Sequence, residues 1–401
     1  MSESRSRRWF LGVGGAFTAV VAACKSNPVP TEPRALGAGI SPYGSRSRFE
    51  KATRFFRPTT IPEEASSRTP LQDTYGIITP SSLHFERHHG GVPDIDPAAH
   101  TLTIHGLVDR PTVFTVAELK RMPSLSRIIF LECSGNSASE WRGAGESDVQ
   151  RAHGLTSCSE WTGVRLATLL KECGAQPAGS WILAEGADAC KLARSVPITK
   201  AMDDALVVYA QNGEPLRPEQ GYPLRLLLPG WEGNTNVKWL RRLKVMNQPA
   251  MTRWETSKYT DLMPDGTARQ FTFAMDAKSV ITRPSGGMSL DGPGVYELTG
   301  LAWSGRGAIA RVDVTTDGGS TWAAADLHQP VLPRAHTRFR WTWKWDGAEA
   351  LLASRATDDT GYEQPALPTL VDVRGFNSNY HNNAIQVWKV GTDGKIVNGN
   401  S

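Results

Sequence analysis

The chain of 401 residues carries 44 basic and 40 acidic side chains, a formal net charge of +4. Such a small surplus, part of which lies near the N-terminus, does not favour a nucleic-acid or anionic-membrane partner. Removing a leader of 24 residues leaves 377, which is too many for one small core, so two domains are expected.

Residues 1–24 are typical of an export signal. Arg7 and Arg8 form a twin-arginine pattern, and the uncharged stretch 11–23 that follows is too short to span a bilayer. The small residues before Cys24 fit simple cleavage, and they also fit a lipoprotein box in which Cys24 is acylated and anchors the chain. Because the twin-arginine route carries folded proteins, often with an inserted cofactor, the sequence predicts a periplasmic protein with a bound cofactor.

Two changes in composition divide the remaining chain. Residues 25–80 are rich in Pro, Ser, Thr and Arg without sustained periodicity, which predicts an extended N-terminal arm. In residues 81–250 short β-runs alternate with short helices, and the clearest helix covers 164–173, where Gly174 ends it. This alternation predicts a mixed α+β domain.

Residues 251–396 show strands and turns only, which predicts an all-β domain. In residues 339–345 aromatic and polar side chains alternate, so one face of a strand is expected to bury four rings. The glycines of residues 317–319 predict a hairpin turn. An immunoglobulin-like sandwich fits this pattern. A platform for stacking sugars or bases is the alternative, but tryptophans at a period of two favour a packed core or a dimer face.

Cys133 follows the apolar run 128–131 and precedes Ser-Gly-Asn, so its thiol is expected at the end of a buried strand. It is either a structural thiol or a ligand for a bound group. Cys158, Cys173 and Cys190 either pair in part or stay free. Because the sequence contains no Cys-x-x-Cys pair and no Cys-x-x-Cys-His site, we expect no zinc ribbon and no haem attached to this chain.

Three further segments carry groups that suit an anionic cofactor. Residues 85–89 place an arginine and two histidines before a pair of glycines. Residues 221–239 run from a strand containing Arg225 into a glycine-rich loop that reaches Lys238, and main-chain amides with two cations suit a phosphate or a pterin. Tyr259 puts a phenol at the domain junction, where a cleft is expected. Each segment alone also has an ordinary explanation. His88 and His89 fit surface loop residues, Arg225 fits a satisfied salt bridge, and Tyr259 fits interdomain packing.

Together these segments resemble the sulfite oxidase family of molybdenum enzymes over the chain that follows the arm. The similarity rests on motifs in one order: Phe-x-Arg-x-His at residues 85–89, Cys-x-Gly-Asn at Cys133, Trp-x-Gly-x-Arg-Leu at Trp161, Gly-x-Pro-x-Arg ending at Arg225, Val-Lys-Trp-Leu at Val237 and Trp-x-x-x-x-Tyr at Trp254. The family implies a molybdenum–molybdopterin domain over residues 81–250 and an immunoglobulin-like dimerisation domain over residues 251–396.

The resemblance also implies roles for individual residues. Cys133 matches the thiolate that ligates molybdenum, and the soft anionic sulfur suits that metal. Tyr259 and Arg87 match groups beside the substrate. The positions that match the binding site for one molybdopterin are Phe85, Arg87, His88, His89, Asp188, Gln220, Arg225, Asn236, Val237 and Lys238, although at Gln220 the family often has His.

Two departures from the family concern the substrate. Family members usually follow Cys-x-Gly-Asn with two arginines, the second of which binds the substrate anion, but here Ser137 and Ala138 stand there. Near the C-terminus Asn382 replaces another expected arginine. A pocket for free sulfite needs such cations, so their loss indicates a different or larger sulfur substrate.

Within the family, residues 83–89, 91–97 and 229–235 are most similar to the molybdenum subunits of sulfane dehydrogenases. The implied substrate is sulfane sulfur on a sulfur carrier protein in thiosulfate oxidation. Electrons would pass to a separate c-type cytochrome subunit, in a heterotetramer with two copies of each chain. Two alternatives stay open: a periplasmic sulfite dehydrogenase, and a cofactor-free exported binding lipoprotein.

Overall fold

The computed structural model describes residues 38–400, so the predicted export signal, with Arg7, Arg8 and Cys24, lies outside the described residues. The chain divides into two compact units, residues 1–51 and residues 52–401. The described part of the first unit, residues 38–51, contains no helix or strand. Within residues 38–400, no helix is long and apolar enough to cross a membrane.

The second unit begins with a small sheet that positions the loop at residues 85–89, which contains Arg87, His88 and His89 and is called the cation-rich loop. Strands β1 (Phe55–Arg57) and β2 (Ser66–Arg68) pair with each other, and β2 also pairs with β3 (Glu86–Arg87). All pairs are antiparallel, and Ser66 lies opposite Arg87. Part of the predicted arm is therefore a strand partner of the loop at residues 85–89.

The following region alternates strands and helices as predicted. Its elements are β4 (Thr101–Gly106), β5 (Thr112–Thr115), α1 (Val116–Arg121), β6 (Ser124–Glu132), α2 (Val149–His153), β7 (Thr156–Arg165), α3 (Leu166–Glu172), β8 (Trp181–Gly186), β9 (Ala193–Pro197), α4 (Ile198–Asp203), β10 (Leu206–Gln211), β11 (Glu214–Pro215), β12 (Arg225–Leu227) and β13 (Leu240–Met246). They form two five-stranded sheets, one in the order β11-β10-β7-β6 with β12 also on β10, the other in the order β5-β4-β13-β8-β9.

Helix α3 confirms the helix predicted at residues 164–173, with a later start because residues 164–165 still belong to β7. Leu166, Leu169 and Leu170 are fully buried on its inner face. Gly174 ends the helix with a φ of 67°, a left-handed conformation that glycine adopts without a steric cost.

The C-terminal region is built mainly from strands. Its elements are α5 (Arg253–Thr256), β14 (Asp261–Leu262), β15 (Ala268–Arg269), β16 (Lys278–Arg283), β17 (Gly294–Trp303), β18 (Ile309–Thr315), β19 (Ala323–Ala324), β20 (Asp326–Leu327), β21 (Thr337–Trp345), β22 (Ala350–Asp358), α6 (Leu367–Arg374), β23 (Val387–Val390) and β24 (Ile396–Asn398). Two larger sheets, β16-β17-β21-β20 and β19-β18-β22-β23-β24, share one apolar core.

Strand β21 shows the alternation expected for residues 339–345. Phe339, Trp343 and Trp345 are buried, but Trp341 is only half-buried, so three rings rather than four lie in the core. The turn at residues 317–319 lies between the antiparallel strands β18 and β19, as predicted. The expectation of strands and turns only was wrong, because α6 packs Leu370 in a separate apolar cluster.

The core of the C-terminal region extends to the strand that leads to Cys133. Phe130 on β6 belongs to the same buried cluster as Trp303, with their ring centroids 6.4 Å apart. The main-chain amide of Phe130 donates to the carbonyl of Arg334 at 2.9 Å. Strand β6 is therefore held by both regions, which limits the movement of the residue that follows it.

Candidate active site

One cavity contains every site residue predicted from the sequence. It has about 660 Å³ of space, part of it open to solvent. The predicted residues that line it are Phe85, Arg87, His88, His89, Cys133, Asp188, Gln220, Arg225, Asn236, Val237, Lys238 and Tyr259. Five further lining residues had no predicted role: Glu86, Leu192, Gly233, Asn234 and Trp239.

Cys133 begins the turn that follows β6. Its amide donates to the carbonyl of Leu155 at 3.0 Å, and its own carbonyl accepts from the amide of Asn136 at 2.8 Å. Gly233 approaches this turn closely, since a Cβ there would lie 3.4 Å from Cys133 Cα. Burial raises the pKa of the Cys133 thiol, while a hydrogen bond from the Gly135 main chain and, after it, the Arg87 cation oppose this effect. A thiolate at this position therefore needs a bound cation such as a metal ion.

Arg225 is buried at the start of β12. Its Nη1 donates to the carbonyl and to Oε1 of Gln220, both at 3.1 Å. Gln220 Nε2 in turn donates to the carbonyl of Phe85 at 2.9 Å, so this glutamine joins the arginine to the cation-rich loop. Arg225 Nε has no partner in the described structure, and burial lowers the pKa of Arg225 to about 9. An anion in the cavity would offset this desolvation.

Lys238 lies beside the same loop. Its Nζ donates to Nδ1 of His88 at 2.7 Å and to the carbonyls of Arg87 and Glu219 at 3.3 and 3.1 Å. Burial, and then the charge of Arg225, lower the pKa of Lys238 well below its ordinary value. His88 Nε2 lies 2.8 Å from a Glu86 carboxylate oxygen. Burial and the Lys238 charge lower the pKa of His88 to about 4, so a neutral His88 accepts from the lysine and donates to the carboxylate.

Tyr259 also lines the cavity and has a left-handed conformation, with a φ of 52°. Its Oη is 2.6 Å from Nε2 of His89. Burial, and then the Arg87 charge, lower the pKa of His89 to about 3, and burial raises the pKa of Tyr259. Both groups are therefore neutral, and the tautomer of His89 sets which of the two donates in this hydrogen bond. The ring of Tyr259 also lies 5.3 Å from that of Tyr380.

Three other predicted residues reach the cavity with side chains that are engaged elsewhere. Arg87 donates to main-chain carbonyls, of Glu64 at 2.8 Å and of His88. Asn236 accepts from the amide of Leu228 at 2.6 Å, and its Nδ2 donates to its own loop. These contacts hold the loops in shape. Arg87 and Asn236 therefore line the cavity at fixed positions.

Asp188 is also used locally, in the loop between β8 and β9. Its Oδ1 accepts from the amide of Leu192 at 3.1 Å, and its Oδ2 accepts from the Cys190 thiol at 2.7 Å. The four cysteines within residues 38–400 are free thiols. The sequence left open whether Cys158, Cys173 and Cys190 pair or stay free, and in the structure all three are unpaired.

A buried charge cluster behind Tyr259 was not found from the sequence. Glu232 accepts from Arg194 Nη2 at 3.3 Å and from Asn234 Nδ2 at 2.7 Å, and one of its oxygens lies 3.2 Å from His381 Nε2. Although burial opposes it, Arg194 and His381 hold the pKa of Glu232 at about 2. The guanidinium of Arg194 lies 5.3 Å from the Tyr259 ring centroid. These residues are far apart in sequence, so only the fold reveals the cluster.

The residues that replace the expected arginines are neutral in the structure. Ala138 is exposed beside the Cys133 turn, and Asn382 is buried with its Nδ2 3.1 Å from the carbonyl of Ser137. Among the described residues that line the cavity, Arg87, Arg225 and Lys238 are the arginine and lysine side chains. The positive charge is therefore concentrated in the cation-rich loop, at the start of β12 and at Lys238.

The donor set fits a molybdenum–molybdopterin cofactor. Neither Arg225 nor Lys238 forms an ion pair with a carboxylate in the described structure, and Arg225 Nε is left without a partner. Two buried cations of this kind suit a phosphate. Cys133 supplies one soft sulfur in the same cavity, as a metal with mostly non-protein ligands requires. Cys133 and Arg225 would thus hold the two ends of such a group.

Comparisons with known proteins identify both regions. Residues 89–254 match the oxidoreductase molybdopterin binding domain, and residues 269–388 match the Mo-co oxidoreductase dimerisation domain. The chain is 33% identical over 310 residues to nitrate reductase [NAD(P)H] of Hordeum vulgare, covering 68% of this chain and 34% of the relative. It is 30% identical over 344 residues to mitochondrial sulfite oxidase of Rattus norvegicus, covering 78% and 62%. The chain thus spans about a third to three-fifths of the length of these curated relatives.

A solved structure matches over nearly all of both chains. The sulfane dehydrogenase SoxCD from Paracoccus pantotrophus superposes with a TM-score of 0.89 and 46% sequence identity, covering 91% of this chain and 95% of that chain. Coverage of 91% of this chain includes the dimerisation region, and the motifs at Cys133 and Arg225 lie within the matched residues 89–254. The chain therefore belongs to the sulfite oxidase family of molybdopterin-binding oxidoreductases.

Proposed function

We propose that this chain is the molybdenum subunit of a sulfane dehydrogenase, which oxidises sulfane sulfur bound to a carrier protein in thiosulfate oxidation. The observation that carries the proposal is the placement of charge: Arg87, Arg225 and Lys238 line the cavity, whereas Ala138 and Asn382, which stand at the positions of the expected sulfite-binding arginines, are neutral and lie outside its lining. The 46% identity to a SoxCD chain supports it.

In this proposal the cofactor is one molybdenum–molybdopterin group in each chain. Cys133 ligates the metal, Arg225 and Lys238 bind the phosphate, and Phe85, His88 and the main chain at Val237 contact the pterin. When bound, the group supplies the two-electron oxidation of sulfur and the transfer of oxygen. The protein supplies orientation and charge. Gln220 accepts from Arg225 and donates to the Phe85 carbonyl, so it fixes the arginine relative to the cation-rich loop that Lys238 contacts.

Tyr259 and Arg87 are proposed to face the substrate. The Tyr259 hydroxyl keeps its proton because burial raises its pKa, and it is oriented by neutral His89. With Nε2–H of His89 donating to its oxygen, this hydroxyl is free to donate its own proton to an oxygen or sulfur atom of the substrate without carrying charge. A neutral donor suits a sulfur atom attached to a protein, whereas a free dianion needs cations.

The proposed partners follow from the same assignment. A c-type cytochrome subunit like SoxD receives the electrons, the sulfur carrier protein presents the substrate, and we place no haem on this chain. Residues 251–396 form the dimerisation domain, an immunoglobulin-like sandwich, which gives a heterotetramer with two copies of each subunit.

The arm at residues 25–80 links the export signal to the domain at residues 81–250. We also propose a periplasmic location through the twin-arginine signal, with Cys24 as the site of any lipid anchor.

A substrate comparison tests the proposal. The full complex with its cytochrome is assayed with carrier-bound sulfane sulfur and with free sulfite. We expect faster turnover of the carrier-bound substrate. The 30% identity to sulfite oxidase supports the second candidate, a periplasmic sulfite dehydrogenase, and fast turnover of free sulfite would favour it. A chain that contains no molybdenum after production with molybdate would instead favour a cofactor-free binding lipoprotein.

A further inference from the structure

A buried ion pair joins the strand that carries Cys133 to the C-terminal region. Lys278 Nζ at the start of β16 lies 3.3 Å from Glu132 Oε1 at the end of β6, and both side chains are 1% exposed. Glu132 immediately precedes Cys133 in the sequence. The C-terminal region therefore contacts the residue next to the proposed metal ligand.

Lys278 has three hydrogen-bond acceptors at short distance. Besides Glu132, its Nζ donates to Ser137 Oγ at 2.8 Å and to the Asn382 carbonyl at 2.7 Å. Ser137 and Asn382 are residues that stand where the family usually has arginine. Lys278 therefore contacts both Ser137 and Asn382, and the carboxylate of Glu132 neutralises the charge of the lysine.

Both carboxylate oxygens of Glu132 are also satisfied. Trp303 Nε1 donates to Oε2 at 2.7 Å, and Asn136 Nδ2 donates to Oε1 at 2.8 Å. Asn136 closes the turn of Cys133 through the carbonyl of Cys133 and also accepts from the amide of Leu155 at 3.1 Å. The carboxylate therefore connects the thiol-bearing turn to the core of the C-terminal region.

A gain in folding stability does not explain why the Lys278–Glu132 ion pair is buried. Removing two charges from water costs several kcal/mol for each ion, and a buried pair is often no more stabilising than an apolar replacement. A fully hydrogen-bonded pair does, however, permit one arrangement of its partners and exclude others. Here one partner, Asn136, belongs to the turn of Cys133, and the other, Trp303, belongs to the core of the C-terminal region.

We infer that Lys278 and Glu132 are positioning residues, which fix the direction of the Cys133 thiolate toward the cofactor from the C-terminal region. This inference rests on the proposed molybdenum site. It assigns the C-terminal region a part in the active site in addition to its match as a dimerisation domain. It also explains why strand β6 is packed against Trp303 rather than against its own region alone.

The test compares two variants of the full chain produced with molybdate. Lys278→Met removes the charge, and Trp303→Phe removes one hydrogen bond to Glu132 while keeping the packing. Molybdenum content, the Mo(V) electron paramagnetic resonance spectrum, kcat and KM are measured for each. We expect a changed spectrum in both, kcat lower by roughly 10- to 100-fold for Lys278→Met and by a smaller factor for Trp303→Phe, and KM little changed.

Two controls remove similar interactions away from Cys133. Trp388→Phe removes the bond from Nε1 to the Ile281 carbonyl, 3.0 Å long, in the same core. Ser279→Ala, next to Lys278, removes the 2.9 Å contact with Ser354. Both controls are expected to lower stability while leaving the spectrum and kcat unchanged, as a merely structural role for Lys278 would also do.

The outcomes separate the inference from the proposed function. Absence of molybdenum in the wild-type chain overturns the proposed metal site. Molybdenum in the wild type, with an unchanged spectrum and unchanged kcat in both Lys278→Met and Trp303→Phe, overturns the positioning role alone. If Lys278→Met does not fold, Trp303→Phe decides the question, because it keeps both charges.

Discussion

Tyr259 Oη lies 2.6 Å from His89 Nε2, and this contact joins the cation-rich loop to the start of the C-terminal region at the lining of the cavity. The histidine packs against Trp254, with ring centroids 4.7 Å apart. Burial keeps the histidine neutral and the tyrosine protonated, so neither partner of this hydrogen bond carries a charge. The contact with His89 thereby holds the phenol at one position in the lining of the cavity.

Replacing Tyr259 tests whether this phenol acts on the substrate. We expect Tyr259→Phe to lower kcat by roughly 10- to 100-fold, since the reacting sulfur loses a positioned donor, with molybdenum content unchanged. Steady-state kinetics with carrier-bound sulfur and metal analysis measure both. Tyr362→Phe is the matched control, because that hydroxyl bonds Asn383 at 3.1 Å and does not line the cavity. Equal activity of both variants and the wild type would contradict the role of Tyr259.

Replacing Cys133 tests the metal ligand. Cys133→Ser exchanges a soft thiolate for a hard hydroxyl, so we expect loss of activity and a lower molybdenum content. Elemental analysis and activity are measured on the same preparation. Cys158→Ser is the control, since Cys158 is a free, fully buried thiol outside the cavity. Full activity of Cys133→Ser would refute the ligand assignment.

Restoring a cation tests the substrate class. Ala138 is exposed, so Ala138→Arg introduces a guanidinium near the Cys133 turn without displacing core atoms. A hydrogen bond to a charged group contributes about 1.5–3 kcal/mol, and we therefore expect the KM for free sulfite to fall by roughly 10-fold or more. Kinetics at low and high salt measure this effect, which salt should weaken. Ala138→Gln, similar in reach but uncharged, should leave the KM unchanged; an equal decrease with Gln would argue against the missing charge.

Buried histidines predict acid sensitivity. Burial lowers the pKa of His84, His153 and His336 to about 3 in the folded chain, below an ordinary value of about 6.5. The unfolded chain therefore binds protons that the folded chain does not, so stability is full above about pH 6.5 and falls as the pH approaches 3. The expected loss is about 1.4 kcal/mol for each histidine and each pH unit.

Urea unfolding at about pH 7 and about pH 5 measures this dependence. His336→Gln removes one titrating group while keeping a polar partner for Thr156, which lies 3.0 Å from His336 Nε2. We expect a smaller stability difference between the two pH values in this variant than in the wild type. The same difference in both proteins would show that His336 does not contribute.

Local patterns explain why much of the fold could be predicted. Helix α3 was predicted because leucines at helical spacing end at Gly174, and strand β21 because aromatic residues alternate with polar ones. The half-buried position of Trp341 and the helix α6 were missed. Both depend on what packs against them, and the sequence of one segment does not contain that information.

The candidate site shows the same division. The motif order identified the family and named the residues around the cavity, because the chemistry of a soft metal and a phosphate restricts which side chains serve it. The partners of those residues were not predicted. Glu232 pairs with Arg194 from β9, and Lys278 pairs with Glu132 from another sheet. Such pairs join residues distant in sequence, and they form only where the fold removes water and brings the charges together.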